Sequence, residues 1–244
     1  MSADLIEQLA KWRHFPGYQL ERRLDIFIAP YLQSFLEESD DSRLKDFTPS
    51  PPKSIVAIPE LPLSKAILIE NGYVAKNRKD EIIRAKDARR YSKKVDYGLF
   101  AKQVGKLVLL ELKTDVASVG LDQVQYLVAA REAGWPELVR GLSNVIEGAR
   151  GSARMKYNCL LEELKDVGAI EEISDNLNHK LYDKPLIVYL LPARKEELEG
   201  HDVIQLPFNE LAEEVLGPKA RDGDKTAGAL LKLLLHLQYP AGSP

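Results

Sequence analysis

Apolar residues recur at Leu20, Leu24, Phe27, Tyr31 and Phe35, the three- and four-residue spacing of one helix face, and predict a helix over 17–37. Pro30 lies inside it and predicts a kink, because proline donates no backbone hydrogen bond. After a polar, proline-bearing link, 55–63 (IVAIPELPL) reads as a short strand. Pro59 and Pro62 suit an edge or an irregular end, and Glu60 between them can point either way. Two runs, 95–100 and 107–113, flank a glycine-bearing turn and predict a hairpin. Residues 121–134 are patterned as a helix with Leu121, Val124 and Val128 on one face, and 148–168 as a second helix. The pattern continues with late strands at 185–193 and 202–208 and closing helices at 209–216 and 226–239.

Strands and helices mix without an internal repeat or a clear linker, so the expected fold class is α/β in a single domain, 1–244. The 244 residues, 45% hydrophobic and 29% charged, suffice for a sizeable core. Cys159 is the only cysteine, which excludes an intrachain disulfide, a four-cysteine zinc site and CxxC redox chemistry. A reducing, cytoplasmic setting is therefore expected. The N-terminal stretch shows no long apolar run of the secretory kind. KPLIVYLLP and AGALLKLLLHL fall short of the ~20 apolar residues a bilayer requires, so no membrane partner is expected.

A net charge of −3 exerts no global pull on a polyanion, so nucleic-acid binding would need a local patch. One exists before Asp96: Lys76, Arg78, Lys79, Arg89, Arg90, Lys93 and Lys94 are the expected phosphate contacts, with Arg150, Arg154 and Lys156 downstream. Charge runs of this kind are more often a solvated face. Several familiar signals fail: GPKARDGDKT lacks the GK[ST] core of a phosphate loop, and neither GxGxxG nor HExxH occurs.

In the second hairpin strand Leu107, Leu109, Glu111 and Lys113 share one face, and Val108, Leu110 and Leu112 the other. Both faces begin apolar, the mark of an interior strand covered on two sides. Glu111 and Lys113 thus continue a buried row, where a charge must be paired, hydrogen-bonded or bound to a metal. With Gln103 and Val104 at the tip, opposed residue numbers would sum to 207 and Asp96 would face Glu111. Other turns containing Gly105 shift the sum by one or two, and a shift of two sets Asp96 opposite Lys113. Two opposed carboxylates need a proton or a cation between them, and a hard divalent ion would bridge them. An ordinary ion-pair cluster at a sheet edge satisfies the same pattern.

An Asp on one strand, a short hairpin, an apolar strand closing in Glu-x-Lys, and a helix bearing Gln and Tyr occur together here as VDYGLF, VLLELKTD and LDQVQYLVAA. In these residues the chain resembles the PD-(D/E)XK nuclease superfamily. The string Glu111 to Asp115, Ser118, Gln123, Tyr126, Leu127 and Ala130 extends the likeness, and IPELPL resembles the first core strand. Val95 stands where the family has proline, and the likeness covers about residues 17–135. The resemblance implies a restriction-endonuclease-like core over 17–135, a central mixed β-sheet flanked by helices, with 136–244 adding C-terminal helices and strands. It implies a nuclease that needs Mg²⁺ (or Mn²⁺) to hydrolyse phosphodiesters, DNA being the expected partner. Asp96 and Glu111 would hold the ion with the backbone carbonyl of Leu112, and Lys113 would orient the water or stabilise the phosphorane charge.

Glu21 stands where family members often carry a helical Glu that reaches the metal, although a surface Glu would look the same. Gln123 fits the family pattern and Gln125 lies nearer the expected apolar face, so both are candidates. Asp115 and Ser118 read as leading into and capping the following helix. A homodimer is common among the superfamily's cutters of duplex DNA. The alternative is a nucleic-acid-binding or assembly protein that keeps the nuclease-like fold without turnover.

Overall fold

The structure, a computed structural model, describes Ile6 and residues 21–45, 55–76, 81–101, 104–173, 176–179 and 184–237. Its helices are α1 (Glu21–Ile28), α2 (Leu32–Glu37), α3 (Ser42–Lys45), α4 (Lys65–Glu70), α5 (Ala85–Ala88), α6 (Leu121–Gly148), α7 (Ser152–Asp166), α8 (Phe208–Arg221) and α9 (Lys225–His236). Its strands are β1 (Ile55–Ser64), β2 (Ser92–Ala101), β3 (Lys106–Leu112), β4 (Ile170–Ile173), β5 (Asn176–His179), β6 (Leu186–Leu191) and β7 (Ile204–Pro207). Five strands form a mixed sheet in the order β1-β2-β3-β6-β7, and β4 pairs with β5 separately. The expected α/β class is present, with the proline-bearing strand at an edge and the Glu-x-Lys strand inside.

The chain divides into two compact units, each assembled from separated stretches. A central unit comprises Pro49–Leu110 and Gly120–Ile187; a terminal unit comprises Met1–Thr48, Glu111–Val119 and Val188–Pro244.

In the central unit β1, β2 and the start of β3 are antiparallel. Gly98 lets β1 approach β2, since a Cβ there would lie 2.6 Å from Leu61 Cδ2. Phe100 meets Trp135 edge-on with ring centroids 5.1 Å apart, and Trp135 Nε1 donates to Ala169 O at 2.8 Å. This pairing satisfies the polar edge of a fully buried indole. Helix α6 bends at Gly134, whose φ of 72° is left-handed, with Pro136 just beyond, and the helix then runs on to Gly148. Leu121 is 60% exposed, and the buried row holds Val124, Leu127 and Ala130. Of the expected face Val124 is buried and Val128 half-buried, whereas Leu121, the first residue after the Gly120 cap, is exposed.

In the terminal unit β6 and β7 are parallel, from Val188↔Ile204 to Leu191↔Pro207. The predicted 17–37 helix is broken at Pro30 by a 3-10 turn, Ala29–Tyr31, between α1 and α2. Asp224 caps α9, accepting from the amides of Thr226 at 2.9 Å and Ala227 at 3.0 Å, and Tyr31 Oη donates to its other oxygen at 2.9 Å.

Candidate functional site

Every residue of β3 from Leu107 to Leu112 is buried, as a strand apolar on both faces should be. That burial carries past the apolar run: Glu111 is 1% exposed and Lys113 5%. The two side chains point the same way, as residues two apart on a strand do, and Lys113 Nζ donates to Glu111 Oε2 at 3.3 Å. The Lys113 amide donates to Leu190 O at 2.8 Å, so β6 fixes the backbone of the residue that follows β3. The terminal unit thus holds a carboxylate and an ammonium out of water as a hydrogen-bonded pair.

The segment beyond Lys113 is also tied down. Asp115 accepts from Ala117 N at 2.9 Å, and Ser118 Oγ donates to Asp115 O at 2.6 Å. Asp115 caps the 3-10 turn Val116–Ser118, of which Ser118 is the last residue, whereas the cap of α6 is Gly120, which corrects the expectation that the two would cap that helix. Lys195 Nζ donates to the carbonyls of Val116 at 3.3 Å and Val119 at 3.1 Å. No local signal marks Lys195, because its role arises from a loop remote in sequence.

In the central unit the β2–β3 register runs from Tyr97↔Leu110 to Ala101↔Lys106, each pair summing to the 207 of the first hairpin alternative. Asp96 is half-buried and is the next residue along β2; Glu111 is the next along β3. Glu60 has a left-handed φ of 54°, uncommon for a residue with a side chain. Its exposed carboxylate pairs with Lys94.

Lys93 Nζ lies 2.8 Å from Asp122 Oδ2, 5.5 Å from the Tyr73 ring centre and 5.2 Å from that of Tyr126. Tyr73 Oη donates to Asp122 Oδ1 at 2.7 Å, and Tyr126 Oη donates to Lys94 O at 2.9 Å. Burial acts to lower the Lys93 ammonium, but hydrogen bonds to Asp122 and Tyr73 and their charge bring it above the usual lysine range. Burial likewise acts to raise the Asp122 carboxyl, and hydrogen bonds from Lys93 and Tyr73 outweigh it and bring it below the usual range. Tyr73 and Asp122, unmarked by any sequence motif, thereby hold the end of the basic run.

Of the other expected nucleic-acid contacts, Lys76, Arg89 and Arg90 are exposed, and Arg78 and Lys79 lie outside the described residues. Glu21 opens α1, but its side chain lies outside what is described. Gln123 is half-buried and donates to Tyr126 Oη at 3.2 Å, while Gln125 is exposed. The choice between them goes to Gln123 as the inward residue, because the buried face is turned away from Leu121.

Among the described residues no three or more His, Cys, Asp or Glu side chains gather closely enough to hold an ion, and no helix is long and apolar enough to cross a membrane. Comparison with protein-family models, with curated proteins and with solved structures finds no match.

Proposed function

We propose that the protein is a metal-dependent nuclease of the PD-(D/E)XK type that hydrolyses phosphodiesters in DNA with Asp96, Glu111 and Lys113. The supporting observation is the Glu111–Lys113 pair, 3.3 Å apart and almost wholly buried at the end of an apolar strand. Burying two charges costs several kcal/mol, and a purely structural strand end has apolar alternatives that are often as stable. Retaining both groups is readily understood when they perform chemistry.

In this reading Asp96 and Glu111 would hold the ion with the carbonyl of Leu112, hard oxygen donors of the kind that suit Mg²⁺ or Mn²⁺. Such an ion, when bound, polarises the scissile phosphate and acidifies a coordinated water. The Lys113 ammonium, held by its backbone bond to Leu190, is aimed from a dry setting and stabilises charge developing on the phosphoryl oxygens. The direct Lys113–Glu111 bond also favours a second reading, a structural ion pair in a nucleic-acid-binding protein without turnover.

The test incubates purified protein with plasmid and with single-stranded DNA, in Mg²⁺ or Mn²⁺ and in EDTA. Wild type should cut only with metal, and Lys113→Ala should lose about 100-fold or more, the scale of removing an electrostatic stabiliser. Asp96→Asn, at a half-buried position, should lose cleavage while keeping the wild-type melting temperature. DNA bound but left uncut in either metal would select the second reading, and cleavage surviving in both variants would sink the assignment.

A further inference from the structure

The basic run before Asp96 splits into two halves with different fates. Lys93, half-buried, is paired with Asp122, and the exposed Lys94 is paired with Glu60. The half ahead of them, in the turn after α5, faces outward. The Arg90 side chain lies across Gly148 at the end of α6: a Cβ on Gly148 would meet Arg90 Cγ at 2.7 Å and Cβ at 3.3 Å. Only glycine leaves room for that stem. The packing brings Arg90 onto the C-terminal end of α6, two residues before Arg150.

We propose that the central unit binds nucleic acid through this composite surface, formed by Arg84, Lys86, Arg89, Arg90, Arg150 and Arg154, and that Tyr91 offers it a stacking face for an unpaired base. All six cationic side chains are exposed, and among the described residues none has a carboxylate partner. Asp87 and Glu147 are the only acids in 84–91 and 147–156. A helix C-terminus favours one neighbouring cation, which accounts for Arg90 alone. The other five are gathered against their mutual repulsion, which a polyanion relieves. Five of the six are arginines, whose planar forks fit phosphate oxygens two at a time.

Tyr91 gives the surface its selectivity. It is 61% exposed, yet its backbone is held at both ends, its amide donating to Ala88 O and its carbonyl accepting from Lys65 N, each at 2.9 Å. Lys65 Nζ sits 6.0 Å from the ring centre. A fixed aromatic ring beside arginines stacks readily on a free base, and bases inside a duplex are already stacked. An anionic membrane fits less well, since the only large apolar side chain α7 exposes among the described residues is Met155.

This inference takes its partner class from the proposed function but is tested without cleavage. Fluorescence anisotropy of a labelled single-stranded oligonucleotide and of its blunt duplex is measured in EDTA across a salt series. Arg89→Gln/Arg90→Gln/Arg150→Gln/Arg154→Gln should weaken both by more than tenfold and reduce the salt slope by roughly 3, at about 0.7–0.9 per phosphate contact. Tyr91→Ala should cost the single strand about tenfold and the duplex little. All substituted side chains are exposed, so melting temperatures should stay unchanged, and Tyr91→Ala alone decides the stacking claim if the quadruple variant melts early.

Equal binding by wild type and the arginine variant would overturn the surface while leaving the nuclease reading standing. Wild-type binding without cleavage in metal would do the reverse. Capture of phosphatidylserine vesicles with no oligonucleotide binding would overturn the choice of nucleic acid.

Discussion

At Glu111 and Lys113 a buried carboxylate and a buried ammonium are bonded to one another, so the loss of either is felt by the other. Removing one partner leaves the other charge in a dry site, at about 3–5 kcal/mol, whereas replacing both with neutral groups of similar size is often neutral or stabilising. Thermal denaturation should therefore show Glu111→Gln and Lys113→Met each lowering the melting temperature, and the double variant recovering most of the loss. Additive losses would mean that the two residues do not interact energetically. Of the candidate site, this pair was legible in advance, because strand alternation alone places residues 111 and 113 on the face of Leu107 and Leu109. The fate of Lys93 was not legible. Its partners Tyr73 and Asp122 come from other elements, and a basic run looks the same whether its members are free or engaged.

Helix α9 starts at a cap that is itself tied to the turn between α1 and α2. Asp224 serves two α9 amides and also receives the Tyr31 hydroxyl. Bonds from Ala227 first, then from Tyr31 and Thr226, outweigh burial and hold its carboxyl below the usual range. Burial first, then the Asp224 hydrogen bond and charge, push Tyr31 up to about 12. Asp224→Ala should lower stability at neutral pH by about 1 kcal/mol, the usual value of such a cap. The carboxylate is favoured by folding, so that difference should be full above the ordinary Asp range and vanish as pH falls through the lowered folded value. The sign for Tyr31 is opposite. Its neutral form is favoured, so its contribution is complete below pH ~10 and disappears towards about 12, which melting of wild type against Tyr31→Phe would register. At this scale the hairpin was readable but its register was open between alternatives, of which the strand pairing follows the 207 sum. The face of α6 was read in part, Val124 lying inside and Leu121, at the helix start, outside.

Neither unit of the whole molecule is a contiguous piece of chain. The terminal unit takes Glu111–Val119 from the middle and most of the rest from the two ends, and the central unit is divided around that insert. Hydrophobic periodicity reports local elements, so it conveyed strands and helices but nothing of this interleaving. A chain stopped at Ile187 lacks the Leu190 carbonyl that holds the Lys113 amide. Limited trypsin digestion should cut such a fragment after Lys113 while the full chain resists there; equal resistance would mean that β6 does not shield the pair.

The hydrogen bond between Lys113 and Leu190 also sets an order of events at birth. At about 5–20 residues per second, several seconds separate the emergence of one partner from that of the other on the ribosome. Throughout that interval the Lys113 amide waits for its Leu190 acceptor, so this end of β3 is completed only once the last third of the chain has been made.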